Sequence, residues 1–243
     1  MFLQACSGTI GVTPTPSPSI TTIPTGTPTA TVEWFPATST PTPLPTRTIT
    51  PPRDEDLKKG GLLYRDAFDT EQGWFIPDTG RGSVNISGGE LNIIINESPA
   101  FLYSVVEDQL FSGLYAEITA SPSLCTGKDE FGLMIRAERN QRYYRYSLSC
   151  DGYVRLDRIL GQQVLSLQPW IRSASVPTAA PSQVRLVVWA VDGELRLYID
   201  GEHQFTVQDE EIRSGSIGVF ARAVGETAVT VSFSDLVVHE ASR

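Results

Sequence analysis

The stretch Val184-Arg185-Leu186-Val187-Val188-Trp189-Ala190, followed by Asp192-Gly193 and then Leu195-Arg196-Leu197-Tyr198-Ile199, decides the fold. Two runs of branched, aliphatic and aromatic residues flank an Asp-Gly step. That step is a strong hairpin signal, because the two central positions of a tight hairpin turn favour residues that tolerate positive φ. Asp200-Gly201 turns the chain again into Gln204-Phe205-Thr206-Val207. Working outward, residues 131–137 and 143–149 flank the polar turn Glu138-Arg139-Asn140-Gln141. Asp151-Gly152 leads into residues 153–159, and Gly88-Gly89 precedes residues 91–95. Residues 216–222, 227–233 and 236–239 supply late strands. No stretch of ten or more residues carries a clear 3.6-residue period. Short strands punctuated by turns at such spacing predict an all-β chain folded as a β-sandwich or barrel.

The rest of the chain bounds this domain. Of its 243 residues, 40% are hydrophobic, enough for a real core. The net charge of −9 excludes a general nucleic-acid binder, which would be basic. The two histidines stand outside any metal-ligand spacing and leave little room for His-based catalysis or zinc chemistry. Residues 8–52 hold 15 Thr, 11 Pro and 3 Ser, too little apolar surface to offset the entropy of ordering. Repeated Thr-Pro steps favour extended polyproline-II conformations, so this segment reads as a disordered, semi-rigid spacer. Its one aromatic pair, Trp34-Phe35, reads as a stray apolar dipeptide rather than a docking motif. Residues 53–61 (RDEDLKKGG) close the linker, and residues 62–243 form one domain with no second linker.

Alternation sorts the strands into two faces. Leu133, Ile135, Tyr144, Tyr146, Leu148, Val154, Leu156, Val184, Leu186, Val188, Leu195, Leu197, Ile199, Ile217 and Val219 share the inward parity. The opposite parity carries Met134, Arg136, Tyr143, Arg145, Ser147, Tyr153, Arg155, Asp157, Arg185, Val187, Trp189, Arg196, Tyr198, Phe220 and Arg222. Residues 132–172 hold seven Arg against three acids. Aromatic rings stack on apolar faces such as the C–H face of a sugar, and Arg donates planar hydrogen bonds to hydroxyls or carboxylates. Arg136, Tyr143, Arg145, Tyr153, Arg155 and Trp189 are therefore the candidate ligand platform. The competing reading is that loops or neighbouring strands cover these rings and Arg stems snorkel over them.

Catalytic motifs are missing: there is no Gly-rich phosphate loop, no Cys-x-x-Cys and no Gly-x-Ser-x-Gly elbow. No cofactor is expected. Asp129-Glu130 and Asp209-Glu210-Glu211 read as loop acids that diverge into solvent, not as a glycosidase pair. Asp66, Asp69 and Asp235 lie near the two ends of the domain and are candidate ligands for a structural calcium ion. Leu3-Gln4-Ala5-Cys6-Ser7 resembles a bacterial lipobox, with Gln4 a less usual second residue, so residues 1–7 read as a signal remnant. That resemblance implies lipidation of Cys6, a membrane link through the lipid anchor only, and a place on the extracellular face of the cell envelope. Three cysteines then leave Cys125 and Cys150 as a pair. With Ala137 set opposite Arg142, Cys150 faces position 129, about 13 Å of strand from Cys125. The expected disulfide therefore requires residues 121–130 to fold back as a loop.

Taken together, Phe68…Gly73-Trp74, Gly88-Gly89-Glu90-Leu91, Gly132-Leu133-Met134-Ile135-Arg136, Tyr143-Tyr144, Asp151-Gly152-Tyr153, the hairpin closing at Asp200-Gly201-Glu202, and Gly215-Ser216-Ile217-Gly218-Val219 resemble the concanavalin A-like lectin/glucanase jelly roll. The LamG-like and 3-keto-disaccharide hydrolase groups are the nearest in pattern. These are turn and core positions, so the resemblance implies a jelly roll more firmly than an activity. The acidic E-x-D-x-x-E strand motif of laminarinase-type glycosidases is absent. The expected function is a surface-tethered, non-catalytic module that binds a carbohydrate or cell-surface polymer. The alternatives are a hydrolase acting on 3-keto-disaccharides or a related sugar, and a structural domain without a small ligand. Asp157 is the single carboxylate expected on the Arg/aromatic face, which favours binding over hydrolysis.

Overall fold

The structure, a computed structural model, describes Gly26, Arg53, Asp54 and residues 57–139 and 141–243. Cys6 and Trp34-Phe35 lie outside the described residues, as does the spacer apart from Gly26. In chain order the strands are β1 (Lys59–Asp66), β2 (Asp78–Thr79), β3 (Gly82–Ser87), β4 (Glu90–Ile95), β5 (Ala100–Val105), β6 (Leu114–Leu124), β7 (Glu130–Glu138), β8 (Arg142–Ser149), β9 (Tyr153–Leu160), β10 (Gln163–Arg172), β11 (Val184–Val191), β12 (Glu194–Ile199), β13 (Glu202–Gln208), β14 (Ser216–Ala223) and β15 (Val229–Ala241). Nine form one sheet in the order β13-β12-β11-β6-β15-β4-β3-β2, with β1 paired to β15. Six form the other, β10-β9-β8-β7-β14-β5. All pairings are antiparallel.

The inward parity holds throughout: every residue assigned to it above, from Leu133 to Val219, is buried in the core between the sheets. Full burial of one such Leu or Val side chain is worth about 1.5–3 kcal/mol, and this drives the two sheets together. Asp192 and Asp200, at φ 51° and 48°, supply the positive φ that the two turns require.

Several elements differ from the sequence pattern. The last two expected strands are one, β15, and a register shift between Ser234 and Val237 absorbs the polar Ser234-Asp235 step. Residues 121–124 continue β6 and pair with β15, so the loop before β7 is only residues 125–129. That short loop is enough: the Cys150 amide donates to the Asp129 carbonyl (3.0 Å), and Cys125 and Cys150 form a disulfide with Cα atoms 5.8 Å apart. β10 carries two register shifts against β9, which erase its alternation. The boundary expected at residues 61/62 falls inside β1. Upstream of it, Asp54 (1% exposed) pairs with Arg185 at 2.6 Å, and Leu57 is buried against Tyr115, Val187 and Trp189.

Candidate functional site

The outer face of the six-stranded sheet is built by register. Met134, Arg145 and Asp157 stand side by side across β7, β8 and β9, and Gly132, Ser147 and Arg155 form the next row. Glu130 lies beside Ser149 on one side and Arg222 on the other, and Tyr153 beside Arg172. These rows produce a chain of ion pairs. Arg145 Nη2 reaches Asp157 Oδ2 at 2.8 Å, and Arg155 Nη2 reaches Glu130 Oε2 at 2.9 Å. Arg222 Nη1 holds the other Glu130 oxygen at 3.1 Å. Arg155 Nε lies 3.0 Å from Asp157 Oδ2, but its N–H is misaligned and finds no acceptor. Both carboxylates are buried, at 1% and 6% side-chain exposure, so water screens these pairs poorly.

Trp170 completes the network. The Arg155 guanidinium lies 4.5 Å from the centre of its ring, covering one face. The indole is 37% exposed. It lines a cleft of about 670 Å³ together with Tyr153, Glu130, Ser149, Asp151 and Lys128. The disulfide anchors two walls of this cleft, since Thr126-Gly127-Lys128 follows Cys125 and Ser149 and Asp151 flank Cys150. Buried Asp129 ties in a third wall by accepting from the amides of Val224 (2.9 Å) and Gly225 (3.0 Å). A larger hollow of about 1010 Å³ lies beside Leu110, Asp192 and Arg213. Its arginines are paired with its own acids, Arg213 with Glu210 and Arg243 with Asp192. Its one aromatic ring, Phe111, is buried.

Of the six residues read as one platform, the structure brings together Arg145, Tyr153 and Arg155. Tyr143 is on the same face, but it is 3% exposed and packs with Met134, Ala137, Ile159 and Phe220 in an apolar cluster. Burial pushes its phenol pKa up. Arg136 is not on the face. A bulge between Ile135 and Glu138, with Arg136 at φ 52°, turns its side chain inward. It is 1% exposed there and donates to the carbonyls of Ser112 (2.8 Å), Asp192 (2.9 Å) and Ile212 (2.8 Å). Trp189 belongs to the other sheet. It is 3% exposed, with Arg196 stacked at 4.5 Å and Leu57 packed in the same cluster. Alternation gives only in or out, and so cannot say which of two outer faces a residue shares.

The acids also differ from expectation. Asp129 and Glu130 do not diverge into solvent: both are buried, the first capping loops and the second facing Arg155. Asp209 accepts from Tyr144 Oη (2.7 Å) and pairs with Arg158 (2.5 Å). The face thus holds two carboxylates, Asp157 and Glu130, and not Asp157 alone. Glu130 was recoverable, because the register that sets Cys150 against position 129 sets Ser149 against Glu130. Among the described residues no three His, Cys, Asp or Glu side chains cluster so as to hold a metal ion. Asp66 accepts instead from the Phe68 amide (2.7 Å), Tyr64 Oη (2.8 Å) and Trp74 Nε1 (2.8 Å).

No protein-family model matches the chain, and no curated protein does. Solved structures do match. The carbohydrate-binding module CBM66 from Bacillus subtilis superposes with a TM-score of 0.56 at 13% identity, covering 69% of this chain and 96% of that one. A Bacillus subtilis protein described as having a galectin-like fold gives 0.59 at 15% identity, over 77% and 99%. The Bacillus licheniformis β-glucanase gives 0.55 at 12%, over 75% and 100%. At such identities the likeness is one of fold: the domain is a concanavalin A-like jelly-roll sandwich.

Proposed function

We propose that this domain is a non-catalytic carbohydrate-binding module whose site is the cleft at Trp170 and Tyr153. One observation carries the reading. Trp170 carries the Arg155 guanidinium over its ring, is 37% exposed and lines the cleft, which presents an indole where a sugar C–H face can stack. Lys128, Ser149 and Asp151 surround it with groups suited to hydroxyls. The carboxylates favour binding over hydrolysis. A glycosidase needs one carboxyl to give up a proton and another to attack or to activate water. Here Glu130 is held between Arg155 and Arg222, and Asp157 lies against Arg145 and Arg155, so neither faces the cleft with a free oxygen pair. That two structural neighbours are described as a carbohydrate-binding module and a β-glucanase agrees with a saccharide ligand.

The module acts outside the cytoplasm, tethered by lipid on Cys6 through the Thr/Pro-rich spacer, and its partner is a glycan or cell-surface polymer. A disulfide that braces the cleft agrees with an oxidising compartment. The test is calorimetry of the full chain against neutral, acidic and 3-keto oligosaccharides, with product analysis for hydrolysis. Binding is expected without turnover. Trp170→Ala should weaken it about tenfold or more, from the loss of aromatic stacking and burial. Trp189→Ala should leave affinity intact in the folded fraction. No binding at millimolar sugar, or turnover abolished by Glu130→Gln, refutes the reading.

A further inference from the structure

We propose that the free edge of β10 pairs with the same edge of a second copy, joining two six-stranded sheets into one and presenting two Trp170 clefts on a common face. β10 ends the order β10-β9-β8-β7-β14-β5, and among the described residues its other edge has no ladder partner. Unpaired edges present rows of amide and carbonyl groups that template further pairing, and proteins guard them with charge, shortness or a cover. The three other ends of the two strand orders carry such devices. The free edge of β5 is bridged through Trp74 to Val106, with the Phe75 amide donating to the Val105 carbonyl at 3.0 Å. β13 carries Glu202, and β2 is two residues long. β10 has none of these devices along residues 163–168: no charge, no proline, and Val164 and Leu165 at 60% and 50% exposure.

Those features favour a second copy over other occupants. Two chains of net charge −9 repel wherever acids meet, and the uncharged run 163–168 offers an edge where identical residues can face without like-charge contact. The chain's own residues 8–52 are an unsuitable partner strand, since their eleven prolines lack ladder donors. Pro169 and the shifts at 166/168 and 168/171 confine pairing to residues 162–167. A two-fold axis normal to the sheet near Leu165 sets Leu165 against its copy and Val164 against Ser166. It keeps both outer faces on one side. Trp170 stands five residues from that axis, about 17 Å along the strand, so the two clefts sit roughly 34 Å apart. A polymer that reaches both gains avidity from the second engagement. That last consequence rests on the proposed carbohydrate site, whereas the pairing itself does not.

The short run makes the dimer weak, so the test is sedimentation velocity of the full chain from micromolar to millimolar concentration, without ligand. A concentration-dependent monomer–dimer equilibrium is expected. Those amides of residues 163–166 that point away from β9 should exchange more slowly with deuterium as concentration rises. Leu165→Lys, at a half-exposed position, should raise the dissociation constant at least tenfold while leaving oligosaccharide affinity unchanged. A monomer at every concentration overturns the proposal. So does a dimer that survives Leu165→Lys with no protection of these amides. In either case sugar binding by the monomer would still stand on its own measurement.

Discussion

Replacing Arg136 by methionine separates a structural arginine from a ligand-binding one. Methionine matches much of the aliphatic stem but removes the guanidinium, whose two Nη atoms donate to three carbonyls. Those carbonyls lie in three separate segments: Asp192 in the β11–β12 turn, Ile212 between β13 and β14, and Ser112 ahead of β6. A buried polar group left unpaired costs about 1–3 kcal/mol. Removing the guanidinium also removes its own desolvation, the largest influence on its pKa and one that lowers it. This offset brings the expected net loss to about 3–5 kcal/mol. For a domain of this size, that corresponds to a fall in melting temperature of roughly 10 °C or more. Chemical denaturation read by tryptophan fluorescence should show a lower midpoint at an unchanged slope. Arg136→Lys, with one ammonium, should recover only part of the loss. Oligosaccharide affinity of the folded fraction should be unchanged, because Arg136 does not reach the cleft. A variant that melts with the wild type yet loses its ligand would refute this account and return Arg136 to the binding face.

Two further outcomes follow from the cysteines. Lipidation at Cys6 predicts palmitate labelling when the chain is expressed behind an intact signal region, and labelling that persists in Cys6→Ala rules the anchor out. The Cys125–Cys150 bridge spans a separation of 25 residues. By the chain-entropy argument its loss in Cys125→Ser/Cys150→Ser costs about 3.5 kcal/mol. Because it braces two cleft walls, affinity should also fall below the melting transition, and unchanged affinity would show that the walls hold without it.

The core was legible in the sequence because alternation is a local signal that survives wherever a strand is regular. From Leu133 to Val219 the inward residues face inward because each strand around the Asp-Gly turns keeps its pleat. The site was less legible, for two physical reasons. Arg136 sits at a bulge, and one extra residue reverses the direction a parity argument assigns. Trp170 sits in β10, whose two register shifts against β9 erase the alternation that would have marked a strand. Trp189 fails differently. Its outward direction is right, but which sheet it belongs to depends on long-range pairing with β6 that no window around β11 contains.

The same outward pattern meets opposite fates on the two sheets, and this is the reason for proposing the site on the six-stranded one. On the nine-stranded sheet Tyr115, Trp189 and Tyr198 are buried in one cluster with Leu57. Arg185, which could have met a ligand, is held by Asp54 at 2.6 Å and Glu117 at 3.1 Å. Asp54 and Leu57 thus occupy that face, and Lys59 adds a cation 4.0 Å over the Tyr115 ring. On the six-stranded sheet Arg145 and Arg155 are ion-paired from within, by Asp157 and Glu130, and among the described residues Trp170 keeps 37% of its surface exposed. Internal pairing leaves the aromatic rim exposed, because Glu130 and Asp157 are buried in the sheet while Trp170 stands on its edge strand and Tyr153 at the start of β9. An aromatic rim over a neutralised floor can stack a sugar without demanding charge from it. The charged floor then acts to hold Trp170 in place, with Arg155 as the positioning residue.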